Sequence, residues 1–254
     1  MDFKVLGCSG SRFPQAKLTS FLIDEVLALD AGAIVSSLSF KEQMKIKAIL
    51  LSHSHFDHIK DIFFLADNLI GRNPYPIKIY SISEVIQALK SHAFNNIMWP
   101  DFTKIPDTHN PTVSLEVIPE GKKVRIEGFT VEAVRVNHPA PAVGYIISRD
   151  RKTIVYSGDT GPTEEIWERV RGVKNLKGLI IETSFPNKHE KLAYLGGHMT
   201  PLALKSELDK LWYVDCPVYL YHLKPQYRND ILKDIKRLRN RNIKILKQGR
   251  TYRF

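Results

Sequence analysis

Residues 48–58 read Ala48-Ile49-Leu50-Leu51-Ser52-His53-Ser54-His55-Phe56-Asp57-His58, and this stretch decides the fold. The apolar run from Ala48 to Leu51 reads as a buried strand that stops abruptly in three histidines and an aspartate. Neutral imidazole and carboxylate are the donor set of zinc and its first-row neighbours. His53 and His55 stand two apart in extended chain, so both rings can point the same way. Asp57 and His58 follow where the chain turns toward a helix, and they reach a second point nearby. The spacing is a plan for two metal ions, with one pair of ligands for each. A lone histidine is most often packed or solvated, but four ligand-type residues within six positions at a strand end are a different case. Phe56, between the pairs, is expected to pack.

The run resembles the HxHxDH signature of the metallo-β-lactamase superfamily, and later landmarks extend the resemblance over nearly the whole chain. It implies an α/β fold of four layers, an αββα sandwich with its site at one edge. The residues alone support a mixed α/β layered fold, because strands dominate each half, each half supplies helices, and ligand-type residues recur at strand ends. With 43% hydrophobic residues over 254, the chain can bury a large core, and folds of this size are often one domain. A single domain over 1–254 is expected, with a substrate-side insert around 71–112.

Cys8 and Cys216 match no zinc or redox spacing, and reduced thiols in the cytoplasm are the simpler reading than a disulfide. The N-terminus lacks the longer apolar run of a secretion signal. The most apolar helix candidate, near Ile59 to Ile70, is interrupted by Lys60, Asp61 and Asp67, so a soluble protein with no membrane partner is expected. The net charge of +10 is uneven: Lys224 to Phe254 holds eleven Lys or Arg against Asp230 and Asp234, a net of +9. Taken alone, such a segment is more often a solvated face than a polyanion site.

Along the chain, strands are expected at Phe3–Leu6, Ser20–Ile23 and Val26–Leu29, the last two a hairpin turning at Asp24-Glu25. Gly32, after Asp30-Ala31, suggests a special backbone angle or a close approach by another group. A short helix should precede the central strand. Helical spacing of Ile59, Ile62, Phe63, Leu65, Ala66 and Leu69 should end at Gly71. A strand at Ile77–Ser81 and a helix at Glu84–Phe94 follow, then a less regular stretch containing Trp99-Pro100-Asp101-Phe102. Five strands are expected near 113–118, 123–126, 130–136, 144–148 and 153–157. Pro162 with Thr163, Glu164 and Glu165 should open a helix. Leu179–Glu182 and Pro217–Tyr221 read as strands, and Thr200-Pro201 as the N-cap and first residue of another helix. The last helix should bury Ile231, Ile235 and Leu238.

Three further ligand-type residues end strand-like runs: His138 after 134–137, Asp159 after 154–158, and His222 after 218–221. Turn residues are the competing reading of each. The superfamily resemblance implies that His138 completes the first metal site, Asp159 bridges both ions, and His222 completes the second. Ser157-Gly158-Asp159-Thr160 resembles the bridging-aspartate motif closely. Two divalent ions are therefore expected, zinc first, with manganese or iron also compatible. Metals about 3.5–4 Å apart can hold a hydroxide between them at neutral pH and act as Lewis acids on a substrate oxygen. Asp57 then counts both as ligand and as part of the catalytic set.

Fold and metals do not choose the substrate. Gly197-His198-Met199-Thr200-Pro201 resembles the extra histidine motif of two phosphodiester-cleaving branches, tRNase Z and the class II cyclic-nucleotide phosphodiesterases. Glu182-Thr183-Ser184-Phe185 resembles the segment whose acid pairs with that histidine in tRNase Z. A Glu182–His198 pair near the metals would serve a leaving alkoxide; the plainer alternative is that His198 helps to cap the helix at Pro201. Leu6 to Gly10, Leu29 to Ala33 and Phe94 to Asp101 resemble motifs of the cyclic-nucleotide branch. Phe94, Trp99 and Phe102 are either one wall for a purine base or, more ordinarily, packing within the insert.

The resulting expectation is a phosphodiesterase acting on 3′,5′-cyclic nucleotides, with tRNA 3′-end processing as the alternative. RNA is then the other substrate class, and a homodimer is compatible with either. A non-catalytic nucleic-acid-binding protein using the basic segment is the reading of another class. The full ligand set argues against it, because a binding module has no need of an open dinuclear site.

Overall fold

The computed structural model describes residues 1–211 and 215–254. The strands are β1 (Asp2–Gly7), β2 (Ser20–Ile23), β3 (Leu27–Leu29), β4 (Ala48–Leu50), β5 (Ile77–Ser81), β6 (Val113–Val117) and β7 (Lys123–Ile126) in the first half. In the second half they are β8 (Phe129–Arg135), β9 (Val143–Arg149), β10 (Lys152–Tyr156), β11 (Leu176–Glu182), β12 (Val218–Tyr221), β13 (Ile243–Ile245) and β14 (Thr251–Arg253). They form two seven-stranded mixed sheets, ordered β14-β1-β2-β3-β4-β5-β6 and β13-β12-β11-β10-β9-β8-β7. In each sheet one end is antiparallel and the other parallel.

The helices are α1 (Phe40–Gln43), α2 (Phe56–Leu69), α3 (Ser83–Ala88), α4 (Glu165–Arg171), α5 (Glu190–Leu195), α6 (Pro201–Asp209) and α7 (Arg228–Arg237). Strand alternation makes the layers. In β10, Ile154 and Tyr156 face the first sheet, where Tyr156 meets Phe21 edge-on at 5.7 Å, while Val155 joins the opposite core. That second core packs Leu179, Ile181, Val218 and Leu220 against Ile166, Trp167, Leu204 and Ile231 of α4, α6 and α7. On the far side, Ile59, Ile62, Leu65, Ala66 and Leu69 of α2 join the core that contains the first sheet. The result is the expected αββα order. Strands covered on both faces read as continuous apolar runs, which is why β4 and β12 stood out.

Local chemistry fixes several junctions. Asp24 and Glu25 take φ of 46° and 64°, two successive left-handed residues in the three-residue connection between Ile23 and Leu27. Ser39 and Glu42 form a reciprocal capping box on α1. Gly32 is a close approach rather than a special angle: a Cβ there would lie 2.2 Å from the Asp57 carbonyl.

Some expectations are corrected. The helix expected from Pro162 begins at Glu165, and the Thr163 N–H ahead of it donates to the Glu207 carboxylate at 2.9 Å. The helix expected over Glu84–Phe94 is α3 followed by one π-helical turn, Leu89–Ala93. α5, β13 and β14 were not foreseen, since β13 and β14 are three residues each and alternate exposure without an apolar run. β14 pairs with β1 and β13 with β12, so the basic terminal segment closes an edge of each sheet. Among the described residues no helix is long and apolar enough to cross a membrane, and both cysteines are free.

Candidate metal centre

The carboxyl ends of β3, β4, β8, β10, β11 and β12 deliver Asp30, the 52–58 loop, His138, Asp159, Glu182 and His222 to one edge of the sandwich, where ligands of α/β sheets usually lie. Two groups of side chains converge there. The ligand atoms of His53, His55 and His138 lie within 4.8 Å of one another, as do those of Asp57, His58, Asp159 and His222. Within the first group, His138 Nε2 stands 3.2 Å from His55 Nδ1. Within the second, Asp159 Oδ2 lies 3.2 Å from His58 Nε2 and 3.1 Å from His222 Nε2. All seven residues named from the sequence are thus brought together.

The other nitrogen of four of these rings is occupied. His53 Nδ1 meets Ser52 Oγ at 2.9 Å, His58 Nδ1 meets Asp30 Oδ2 at 2.7 Å, His222 Nδ1 meets Thr19 Oγ1 at 2.8 Å, and His138 Nδ1 meets the Gly197 carbonyl at 2.9 Å. Each arrangement turns Nε2 inward as the free lone pair, the usual way in which a protein sets a ligating histidine. His53 Nε2, His58 Nε2 and Asp159 Oδ1 are buried with no hydrogen-bond partner. Orphaned buried acceptors facing one another are costly unless something cationic joins them. The donor set, five imidazoles and two carboxylates, suits a divalent transition metal.

Charge tells the same story. Burial pushes His53, His55, His138 and His222 below the ordinary histidine value, His222 to about 3. Burial also opposes the charged form of His58, but Asp159 and Asp30 outweigh it and hold His58 well above that value. Burial would raise Asp159, yet His222 and His58 hold it well below the carboxylate range. The carboxylates thus favour a cation among these rings, and metal binding at such a site releases protons.

Asp30, which the sequence reading carries only within the Leu29–Ala33 motif, is the buried carboxylate behind the cluster. It is fully buried and sits at φ 51°, in the left-handed region. Its carboxylate accepts from Ser52 N (2.7 Å), Ser52 Oγ (2.8 Å), His58 Nδ1 (2.7 Å) and the Tyr156 hydroxyl. Through Ser52 it also reaches His53, so one carboxylate orients a ligand in each group. The signal available is an aspartate directly after a buried strand, two residues before a glycine. His222 is likewise left-handed, at φ 65°, a strained backbone position of the kind found at functional sites.

Glu182 and His198 meet beside both groups. His198 Nδ1 lies 2.7 Å from Glu182 Oε1, and the Glu182 carboxylate also accepts from Ser184 Oγ (2.9 Å) and Thr160 N (3.2 Å). The His198 ring stacks on His222 at 5.5 Å and meets His138 edge-on at 5.4 Å. Burial raises the Glu182 carboxyl against the pull of His198, and burial of His198 is outweighed by Glu182, which keeps the imidazole above its ordinary value. The capping alternative for His198 fails, because Thr200 Oγ1 accepts from Ala203 N and caps α6 itself. Gly197, at φ +62°, is confined too: a Cβ there would lie 2.3 Å from Pro139 Cδ.

Of the aromatic expectations, that for Phe56 changes and the packing reading of the insert holds for Phe94 and Phe102. Phe56 does not pack inward but is 62% exposed. Phe94 and Phe102 are buried core residues, while Trp99 is half-buried against Phe63 and Phe64.

A two-sheet αββα sandwich carrying a seven-residue His/Asp cluster at its edge defines the metallo-β-lactamase class of hydrolases. Residues 20–210 match the beta-lactamase superfamily domain, and the chain belongs to that family. It is 27% identical over 285 aligned residues, 92% of its own length and 80% of the relative's, to a Yersinia pestis protein named probable 3′,5′-cyclic-nucleotide phosphodiesterase. Unliganded yeast PDE1 superposes with a TM-score of 0.83 at 19% identity, covering 98% of both chains. A ribonuclease Z of Sulfurisphaera tokodaii is 31% identical over 118 residues, 44% of this chain and 33% of that protein.

Proposed function

We propose that this protein is a metal-dependent phosphodiesterase that hydrolyses 3′,5′-cyclic nucleotides. The observation that carries the reading is the Glu182–His198 pair, bonded at 2.7 Å and stacked directly on the His/Asp cluster. The Yersinia pestis relative, aligned over most of both chains, supports the cyclic-nucleotide branch. In this reading His53, His55 and His138 would hold one divalent ion, and Asp57, His58 and His222 a second. Asp159, whose Oδ2 lies beside His58 and His222, would complete the set. Zinc suits the imidazole-rich set, with manganese or iron as substitutes. Bound divalent metals supply Lewis acidity toward phosphoryl oxygens and make water a usable nucleophile near neutral pH.

The chain's own residues do the rest. Asp30 and Ser52 fix the rings that line the phosphate site. Cleavage of the P–O3′ bond expels a ribose alkoxide, a poor leaving group in water. His198 donates its Nε2 proton to that oxygen as the bond breaks, and Glu182 orients the ring through Nδ1 and stabilises its charge. The proton and the departing oxygen leave together as the 3′-hydroxyl, with the phosphate retained on the 5′ side.

The test compares leaving groups. General-acid help is worth about 10²–10⁴-fold, and a nitrophenolate departs without protonation. His198→Ala should therefore depress cyclic AMP turnover strongly while sparing bis(p-nitrophenyl) phosphate by comparison, and Glu182→Gln should follow more weakly. Equal losses on both substrates, with metal content unchanged, would exclude this role for His198.

Ribonuclease Z-like cleavage of precursor tRNA is the second reading. The shorter match to that enzyme and the net +9 of the terminal segment favour it.

A further inference from the structure

Lys224, the first residue of the basic terminal segment, follows His222 by two positions and is half-buried. Its ammonium donates to the Gly10 carbonyl at 3.2 Å and lies 5.1 Å from the centre of the Phe185 ring. Both neighbours pack on histidines of the site. A Cβ on Gly10 would lie 2.6 Å from His222 Cδ2 and 2.9 Å from His222 Nε2, so the 9–11 loop rests against that ring. Phe185 meets the His198 ring at 5.8 Å, and His198 in turn stacks on His222. Lys224 therefore joins the residue packed on His222 to the residue packed on His198. Behind burial and Glu182, the charge of Lys224 is also felt at His198.

Its charge is unanswered. Lys4 and Lys210, also half-buried, each pair with a carboxylate at 2.8 Å. Among the described residues Lys224 makes no ion pair, and its partners are a neutral carbonyl and a ring. The acids of the site are already engaged, Glu182 with His198 and Asp159 with His58 and His222. An ammonium carries three donors, and the Gly10 carbonyl takes one of them. Lysine is seldom drawn out of water without a partner of opposite charge. At the wall shared by His198 and His222, the partner that fits is an anion brought by the ligand.

We infer that Lys224 binds a non-bridging oxygen of the substrate's phosphoryl group, on the side where His198 serves the leaving oxygen. The inference rests on the phosphodiesterase reading and adds the residue by which the chain itself selects an anionic phosphoryl group. Gly10 and Phe185 hold the ammonium in place for that contact.

Equilibrium binding of inorganic phosphate to the metal-loaded protein, followed by calorimetry, tests this without turnover. A hydrogen bond between charged groups is worth about 10–100-fold in affinity. Lys224→Met keeps an apolar stem over Phe185 and removes the charge. Phosphate should bind this variant about 10–100-fold more weakly at unchanged metal content, and Lys224→Arg should recover most of the loss. Undiminished phosphate affinity in Lys224→Met would overturn the assignment. So would a loss that Lys224→Arg does not recover, because the residue would then serve packing and not charge. A Lys224→Met protein that no longer holds metal would overturn it too, since Lys224 would be acting on the ligands rather than on the phosphate. Failure of the phosphodiesterase reading would show separately, as absent turnover of cyclic AMP by a wild type that still binds phosphate through Lys224.

Discussion

Asp30→Asn is the most informative small change, because it keeps shape and removes charge. One carboxylate receives four donors, and three of them, from His58, Ser52 Oγ and Tyr156, share Oδ2. The amide can leave its oxygen at that corner, but its NH₂ then faces the Ser52 backbone N–H that now lies 2.7 Å from Oδ1. The flipped amide would instead set its NH₂ against the other three. A buried donor without an acceptor costs about 1–3 kcal/mol, and the surviving bonds lose their charge assistance, roughly half their strength. A net loss of about 2–4 kcal/mol follows, which for a chain of this length is roughly 5–15 °C in the melt of the metal-free protein. Because His58 and, through Ser52, His53 lose their orientation, metal affinity should fall about 10–100-fold. Differential scanning calorimetry and competition with a chromogenic chelator measure the two effects. A variant that melts within a degree of wild type and holds metal equally well would refute the assignment of Asp30 as the residue that orients both ligand groups.

Two further outcomes follow from the same structure. Neutralising several lysines and arginines between Lys233 and Lys247 should change cyclic-nucleotide turnover by less than about twofold, since a small substrate makes few phosphate contacts there; an RNA substrate would weaken steeply with added salt instead. Burial raises the thiols of Cys8 and Cys216 to about 11 each. Their folded values exceed the unfolded one, so the stabilising, protonated form is complete below pH 9 and is lost as pH rises through 11. Iodoacetamide should accordingly alkylate the native protein slowly at pH 8 and rapidly near 11 or on unfolding, as followed by mass spectrometry.

The sequence made the cluster legible because each ligand ends an apolar run, and β4, β10 and β12 had to be buried on both faces. His53 to His58 advertised themselves by density. Asp30 did not, since its role depends on Ser52, His58 and Tyr156 arriving from three other segments, and no spacing along the chain records that meeting. Phe56 was misread for a related reason. Its neighbours His55 and Asp57 turn their ligand atoms to the cluster, and period alone could not show that Phe56 opens α2 on the solvent side. β13 and β14 are too short and half-exposed to carry a periodic signal, and pairing with β12 and β1 alone makes them strands.

The most direct measurement is the turnover of cyclic AMP, cyclic GMP and a 3′-extended precursor tRNA by one metal-replete preparation, each repeated after chelation. Chelator-sensitive hydrolysis of a cyclic nucleotide to its 5′-monophosphate, with the tRNA left uncut, is the predicted result. Cleavage of the tRNA with both cyclic nucleotides untouched would contradict the account.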